Sequence, residues 1–200
     1  MRLYRMLRPV VFLIVRLCWR FRAEGTENLP EAGACIVAAN HFHLLDPVII
    51  GAALGRPVRF MAKEELFRNR LAGRLLSILG AFPVKRGKTD VQAVRRSLQV
   101  LAEGEVLGIF PEGTRGRAGE IQDAYSGAAL LAARCAAPLV PVGLYGTYRP
   151  GGRLRMKVGK PFYVNCQVKG RPTSEERSHA TGELMEQIGA LVEQCKNEGW

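Results

Sequence analysis

The chain has 200 residues, 48% of them hydrophobic and 24% charged. That suits one domain with a real core, and it excludes a disordered, collagen-like or coiled-coil chain. Lysine and arginine number 29 against 18 acids, a net charge of +11. Expected partners are therefore anionic: nucleic acid, an anionic membrane surface or a phosphorylated substrate.

Residues 1–22 carry six arginines and no acid. Their central charge-free run, Pro9 to Val15, falls well short of the ~20 apolar residues a spanning helix needs. Arg20-Phe21-Arg22 follows without a small-residue cleavage site, so a signal peptide is not expected either. On a helical wheel Arg2, Arg5, Arg16 and Arg20 share one sector. Leu3, Leu7, Val10, Val11, Ile14, Leu17 and Cys18 oppose them, with Tyr4, Phe12 and Trp19 on the flanks. The pattern predicts an amphipathic helix lying in a membrane interface, its rings at headgroup depth. A core-packing helix with a solvated basic face is the alternative. Pro9 marks either a kink or the start of the helix.

Further along, Ala34 to Ala39 reads as a buried strand ending at Asn40, and Asp46-Pro47 as an N-cap and first helical residue. Residues 58–62 predict a strand, and 64–79 a helix stopped by Gly80. Thr89 to Gln92 forms a capping box opening a helix that ends near Gly104. A strand is expected over 106–110, an alanine-rich helix over 127–136 and a strand near 139–144. Residues 153–158 alternate basic and apolar, as a half-exposed strand would. Thr173 to Glu176 is a second capping box, starting a helix through about Gln194. Strands alternating with helices predict an α/β single domain with a mixed, largely parallel sheet covered by helices, preceded by the amphipathic membrane-interface segment 1–22.

The five cysteines are odd in number and scattered, without metal-ligand spacing, and read as buried hydrophobes of a reducing compartment. Three histidines and no ligand-spaced carboxylate cluster predict no metal site. No aromatic-basic stacking platform suggests nucleic acid as the partner.

Two stretches carry chemistry. His41 and Asp46 lie between a strand end and a helix start, where α/β folds place ligand sites. On one helix they would be about 140° apart, but across a loop they can meet. A carboxylate can then fix the imidazole tautomer while the other ring nitrogen takes a proton from a hydroxyl. Phe110-Pro111-Glu112-Gly113-Thr114-Arg115 follows a strand directly. Arg115 can hold a phosphate bidentately, and Gly113 allows backbone N–H groups close to an anion.

With Asn40-His41-x4-Asp46-Pro47 and Phe110 to Arg115 in this order, the chain resembles the glycerolipid acyltransferase superfamily, specifically the bacterial lysophosphatidic acid acyltransferases. Lys63 to Leu66, Gly80 to Arg86 and Ala137 to Val142 resemble the family's other motifs in order. Tyr125, Gly116 and His43 depart from it, standing where a lysine and two serines are frequent. The resemblance covers about residues 24–163 and makes 23–200 the acyltransferase domain.

It implies an O-acyltransferase moving a fatty acyl group from an acyl thioester to the sn-2 hydroxyl of 1-acylglycerol 3-phosphate, giving phosphatidic acid. His41 would be the general base and Asp46 its orienting acid. Arg86 and Arg115 would hold the phosphate, with Lys63 a further candidate and Glu112 and Thr114 shaping that site. No cofactor is implied, only acyl-CoA or acyl carrier protein as thioester co-substrate. The expected location is the cytoplasmic face of the cell membrane, peripheral or monotopic. The alternatives are an acceptor such as glycerol 3-phosphate or another lysophospholipid, or a non-catalytic basic lipid-binding domain.

Overall fold

A computed structural model describes residues 2–84, 91–168 and 170–198. Seven strands form one sheet in the order β1-β7-β6-β2-β5-β3-β4. They are β1 (Arg22–Glu24), β2 (Cys35–Ala39), β3 (Val58–Lys63), β4 (Phe82–Val84), β5 (Val106–Ile109), β6 (Leu139–Gly146) and β7 (Leu154–Val158). Neighbours pair in parallel except β6 and β7, which are antiparallel. The helices are α1 (Arg2–Trp19), α2 (Asp46–Ala53), α3 (Arg70–Ile78), α4 (Val91–Ala102), α5 (Gly127–Cys135) and α6 (Ser174–Asn197).

β2 shows why the sheet must be covered on both faces. All five of its side chains are buried, as parallel strands between helix layers require. Cys35, Val37 and Ala39 point into one core with Val15 of α1 and Ile49 and Ile50 of α2. Ile36 and Ala38 point into the other, with Val100 of α4, Ala128 of α5, and Leu184 and Ile188 of α6. Gly108 on β5 is required by close approach, since a Cβ there would stand 2.4 Å from the Phe60 ring. The carboxyl ends of β6, β2, β5 and β3 lie side by side, and the chain between β6 and β7 turns at the same edge.

Most expected elements form, and the differences have local causes. The 64–79 segment is a 3-10 turn (Glu64–Phe67) followed by α3. Asn69 Oδ1 accepts from the Leu71 N–H and starts a new helix there. A Cβ on Gly73 would stand 2.8 Å from the Phe67 carbonyl oxygen, so the turn packs directly on α3. The C-terminal capping box is present in both directions and α6 runs to Asn197. The Thr89–Gln92 box falls partly outside the described residues. Arg155 is buried rather than half-exposed, because Glu198 beyond α6 reaches its guanidinium at 3.2 Å and also contacts Lys157.

α1 differs most from its wheel. Pro9 lies inside the helix. Tyr4 is buried and its hydroxyl donates to the Gly51 carbonyl at 2.8 Å, while Arg8 donates to the Leu54 carbonyl at 2.7 Å. Phe12 and Trp19 are half-buried against the core. The rings thus face the protein instead of flanking an interface. Met6, Leu7, Val10, Leu13, Ile14 and Leu17 form the exposed face. Of the cysteines, only Cys35 and Cys195 are buried and Cys18 is exposed; none is in a disulfide.

Ile188 is fully buried, whereas the Thr173 cap sits at the surface. Ile188→Ala should cost about 2–5 kcal/mol and Thr173→Ala about 0.5–2, read from urea unfolding midpoints. Equal costs would mean that α6 is held by its cap and not by its packing.

Candidate active site

β2 delivers Asn40 and His41 to the carboxyl edge. The Asn40 side chain spans to β6, donating to the Leu144 carbonyl at 2.9 Å and accepting from its N–H at 2.8 Å. The chain then turns through residues 42–45 into α2. Leu45 is the residue before the helix and Asp46 its first residue, with no side-chain cap bond. Asp46 is therefore not the N-cap the sequence suggested. Its carboxylate folds back across the turn instead.

That carboxylate has no solvent exposure. Oδ2 accepts from His41 Nδ1, the Phe42 N–H and the His43 N–H, each at 2.8 Å. Oδ1 accepts from the Tyr148 hydroxyl at 2.6 Å. A buried carboxylate needs such donors to offset lost hydration. Because Oδ2 is an acceptor, the network assigns the His41 proton to Nδ1 and leaves the Nε2 lone pair unprotonated. The imidazole stacks on Phe110 at 4.0 Å between centroids, and Phe110 stacks on Phe60 at 5.4 Å.

The turn after β5 closes the other side. Gly116 N–H donates to the His41 carbonyl at 2.8 Å, and Gly113, at φ +68°, donates to the Phe110 carbonyl at 3.0 Å. A residue with a Cβ would be strained at that φ. Thr114 donates to Gln122 at 3.0 Å, and Arg115 is exposed. Glu112 is buried, and among the described residues neither of its oxygens has a hydrogen-bond partner. Burial, and to a lesser degree the nearby Asp46 carboxylate, pushes its carboxyl up to about 7, with the His41 backbone N–H acting in the opposite sense.

Lys63 ends β3, the neighbour of β5, where it pairs with Glu65 at 3.3 Å in an exposed position. Of the expected site residues, His41 and Asp46 meet directly, and Glu112, Gly113, Thr114 and Arg115 form the adjoining turn. Lys63 reaches the same edge, and Arg86 lies outside the described residues. Tyr148 was missed. Its signal in the sequence is only an aromatic residue in the loop that follows a strand reaching the carboxyl edge. Among the described residues, no group of three or more His, Cys, Asp or Glu side chains is placed to hold a metal ion.

Beside this site runs an apolar groove. It is lined by Tyr4, Leu7 and Val11 of α1, Leu44, Pro47 and Val48 of the His41 loop and α2, Phe60 of β3, and Leu76 and Leu79. Phe60 belongs both to the groove wall and to the ring stack under His41.

A buried His–Asp pair at the carboxyl edge of such a sheet has the geometry an acid–base site of an α/β enzyme requires. The acyltransferase family model matches residues 20–145, and the chain belongs to that family. It is 29% identical over 195 residues to the 1-acyl-sn-glycerol-3-phosphate acyltransferase of Bacillus subtilis, covering 94% of this chain and 96% of that one. It is 30% identical over 147 residues to the corresponding Borreliella burgdorferi enzyme, covering 68% and 59%. The crystal structure of the 1-acyl-sn-glycerophosphate (LPA) acyltransferase PlsC of Thermotoga maritima superposes with a TM-score of 0.78 at 24% identity. That match covers 100% of this chain and 80% of PlsC, and it establishes the shared fold.

Because the folded Glu112 carboxyl keeps its proton to about pH 7, against 4.5 when free, its ionisation destabilises the fold as pH rises through that window. Glu112→Gln should match wild type in stability below pH 4 and exceed it above pH 7, by on the order of 3 kcal/mol. Urea unfolding at a series of pH values reads the difference; a constant gap would show that Glu112 ionises normally.

Proposed function

We propose that this chain transfers an acyl group from an acyl thioester, carried by coenzyme A or acyl carrier protein, to the sn-2 hydroxyl of 1-acyl-sn-glycerol 3-phosphate, giving phosphatidic acid. The observation that carries this reading is His41, whose Nδ1–H is held by a carboxylate with four donors while Nε2 stays free to act as a base. The groove beside it suits the acyl chain of a lipid, and the Bacillus subtilis relative that aligns over 94% of this chain is a 1-acyl-sn-glycerol-3-phosphate acyltransferase.

In this mechanism His41 Nε2 takes the proton of the sn-2 hydroxyl as the oxygen attacks the thioester carbonyl. Asp46 orients His41 and stabilises the imidazolium through the Nδ1 bond. The tetrahedral intermediate then collapses, the C–S bond breaks, and the departing sulfur takes the proton from Nε2. One ester forms, one thioester is lost, and no covalent enzyme intermediate is needed. Arg115, Lys63 and Arg86 supply positive charge for the phosphate, and Arg115 stands in the turn hydrogen-bonded to the His41 carbonyl through Gly116. Glu112 and Thr114 shape that turn.

The enzyme works from the surface of an anionic bilayer, on the cytoplasmic face. Six apolar side chains of α1 are exposed on one face, and residues 1–22 contain no acid. No helix among the described residues is long and apolar enough to cross a membrane. An interfacial mode of docking accommodates both facts.

Two measurements test this. His41→Ala should lower thiol release from an acyl thioester with lysophosphatidic acid by at least about 10²–10⁴-fold; full activity would remove the base. Because Val15 and Tyr4 belong to the core, docking is better probed by substitution than by deletion of α1. Leu13→Glu with Leu17→Glu should release the protein from anionic vesicles while leaving the unfolding midpoint unchanged, and undiminished co-sedimentation would refute docking through this face.

A further inference from the structure

Tyr148 does more than fill space beside the dyad. Its hydroxyl is the donor to Asp46 Oδ1, the oxygen that His41 does not use. Its ring stacks on His43 at 3.8 Å between centroids and lies 5.6 Å from Phe42. It therefore packs against two consecutive residues of the turn between His41 and Asp46.

The Tyr148 backbone is held from α1. Trp19 Nε1 donates to the Tyr148 carbonyl at 2.8 Å, and its ring meets the tyrosine edge-on at 5.7 Å. One residue earlier, the Cys18 carbonyl accepts from the Gly151 N–H at 2.9 Å. The turn is closed on itself by Gly152 N–H to the Arg149 carbonyl and Thr147 N–H to the Arg153 carbonyl. A continuous path of named contacts thus runs from the last turn of α1 to the buried carboxylate.

We propose that Tyr148 is a positioning residue for acyl transfer, fixing the Asp46 carboxylate by its hydroxyl, and that Trp19 acts on the dyad through Tyr148. The proposal rests on the acyl-transfer reading above. Asp46 can present Oδ2 to His41 only in one rotation of its carboxylate. Oδ2 has three partners, but among the described residues Oδ1 has the tyrosine alone. Without the hydroxyl, Oδ1 would be buried and unsolvated. The carboxylate would then exchange a well-aligned bond to His41 for other arrangements. Burial and the neighbouring carboxylate raise the phenol far above its ordinary range, so it remains a donor throughout the working range of pH.

The test uses the full chain with lysophosphatidic acid in vesicles and an acyl thioester, comparing wild type, Tyr148→Phe, Trp19→Phe and the double variant. Tyr148→Phe keeps the ring contacts and removes one charged hydrogen bond. It should lower kcat by about tenfold or more, with KM for the acceptor and vesicle binding unchanged. Trp19→Phe should lower kcat less, by about threefold, and should cause no further loss in the Tyr148→Phe background. A Tyr148→Phe enzyme with wild-type kcat, even one with a lowered unfolding midpoint, overturns the positioning role and leaves Tyr148 a packing residue. Effects of the two substitutions that multiply independently overturn the Trp19 connection. An inactive wild type defeats the acyl-transfer reading itself, which separates that failure from this one.

Discussion

The site is organised by one constraint: a carboxylate with no solvent exposure must find donors from the protein. Asp46 meets it with two backbone N–H groups of its own turn, one imidazole and one phenol. The backbone pair fixes the turn after β2, the imidazole bond fixes the tautomer, and the phenol ties the turn to the β6–β7 connection. Removing the phenol leaves Oδ1 buried without a donor, whereas Oδ2 keeps two donors when it loses one. The geometry of the His41–Asp46 pair and the local stability therefore rest on the same set of bonds.

Glu112 is the contrasting case. It is a second buried acid at the same edge, without hydrogen-bond partners among the described residues, and its carboxyl holds its proton to about pH 7. Two carboxylates close together in a low-dielectric region disfavour simultaneous ionisation. The four donors are all placed on Asp46 and none on Glu112. Asp46 is the acid whose oxygens are met by donors, and Glu112, its carboxyl pushed up to about 7, forms the wall of the turn that presents Arg115.

Much of this was legible in the sequence because the signals were local. The strand ending at Asn40, the Glu-Gly-Thr-Arg turn after β5 and the Thr173 capping box each depend on residues within a few positions. What the sequence hid depends on distance or competition. Asp46 reads as an N-cap because short acids before a helix usually cap it, yet the amides of residues 42 and 43 and His41 outcompete the helix amides for its oxygens. The 64–79 run keeps a helical pattern, but Asn69 and the contact of Phe67 with Gly73 divide it. Tyr148 is 102 residues from Asp46, and only the strand order brings them together.

The same limitation explains α1. A wheel sorts side chains by direction but cannot say which direction is inward. Both the inward seam (Tyr4, Val11, Phe12, Val15 and Trp19) and the outward face (Met6, Val10, Leu13, Ile14 and Leu17) are apolar. An apolar face turned to water would be costly, at about 25 cal/mol per Å², so a helix with this pattern fits a boundary between protein and lipid. Its inward seam forms part of the groove wall and ends at Trp19, whose contacts lead to Tyr148 and Asp46. One helix thus carries an exposed apolar face, lines the groove and contacts Tyr148, which supports the His41–Asp46 pair. With α1 docked on a bilayer as proposed, that connection would give its position a physical route to the His41–Asp46 pair.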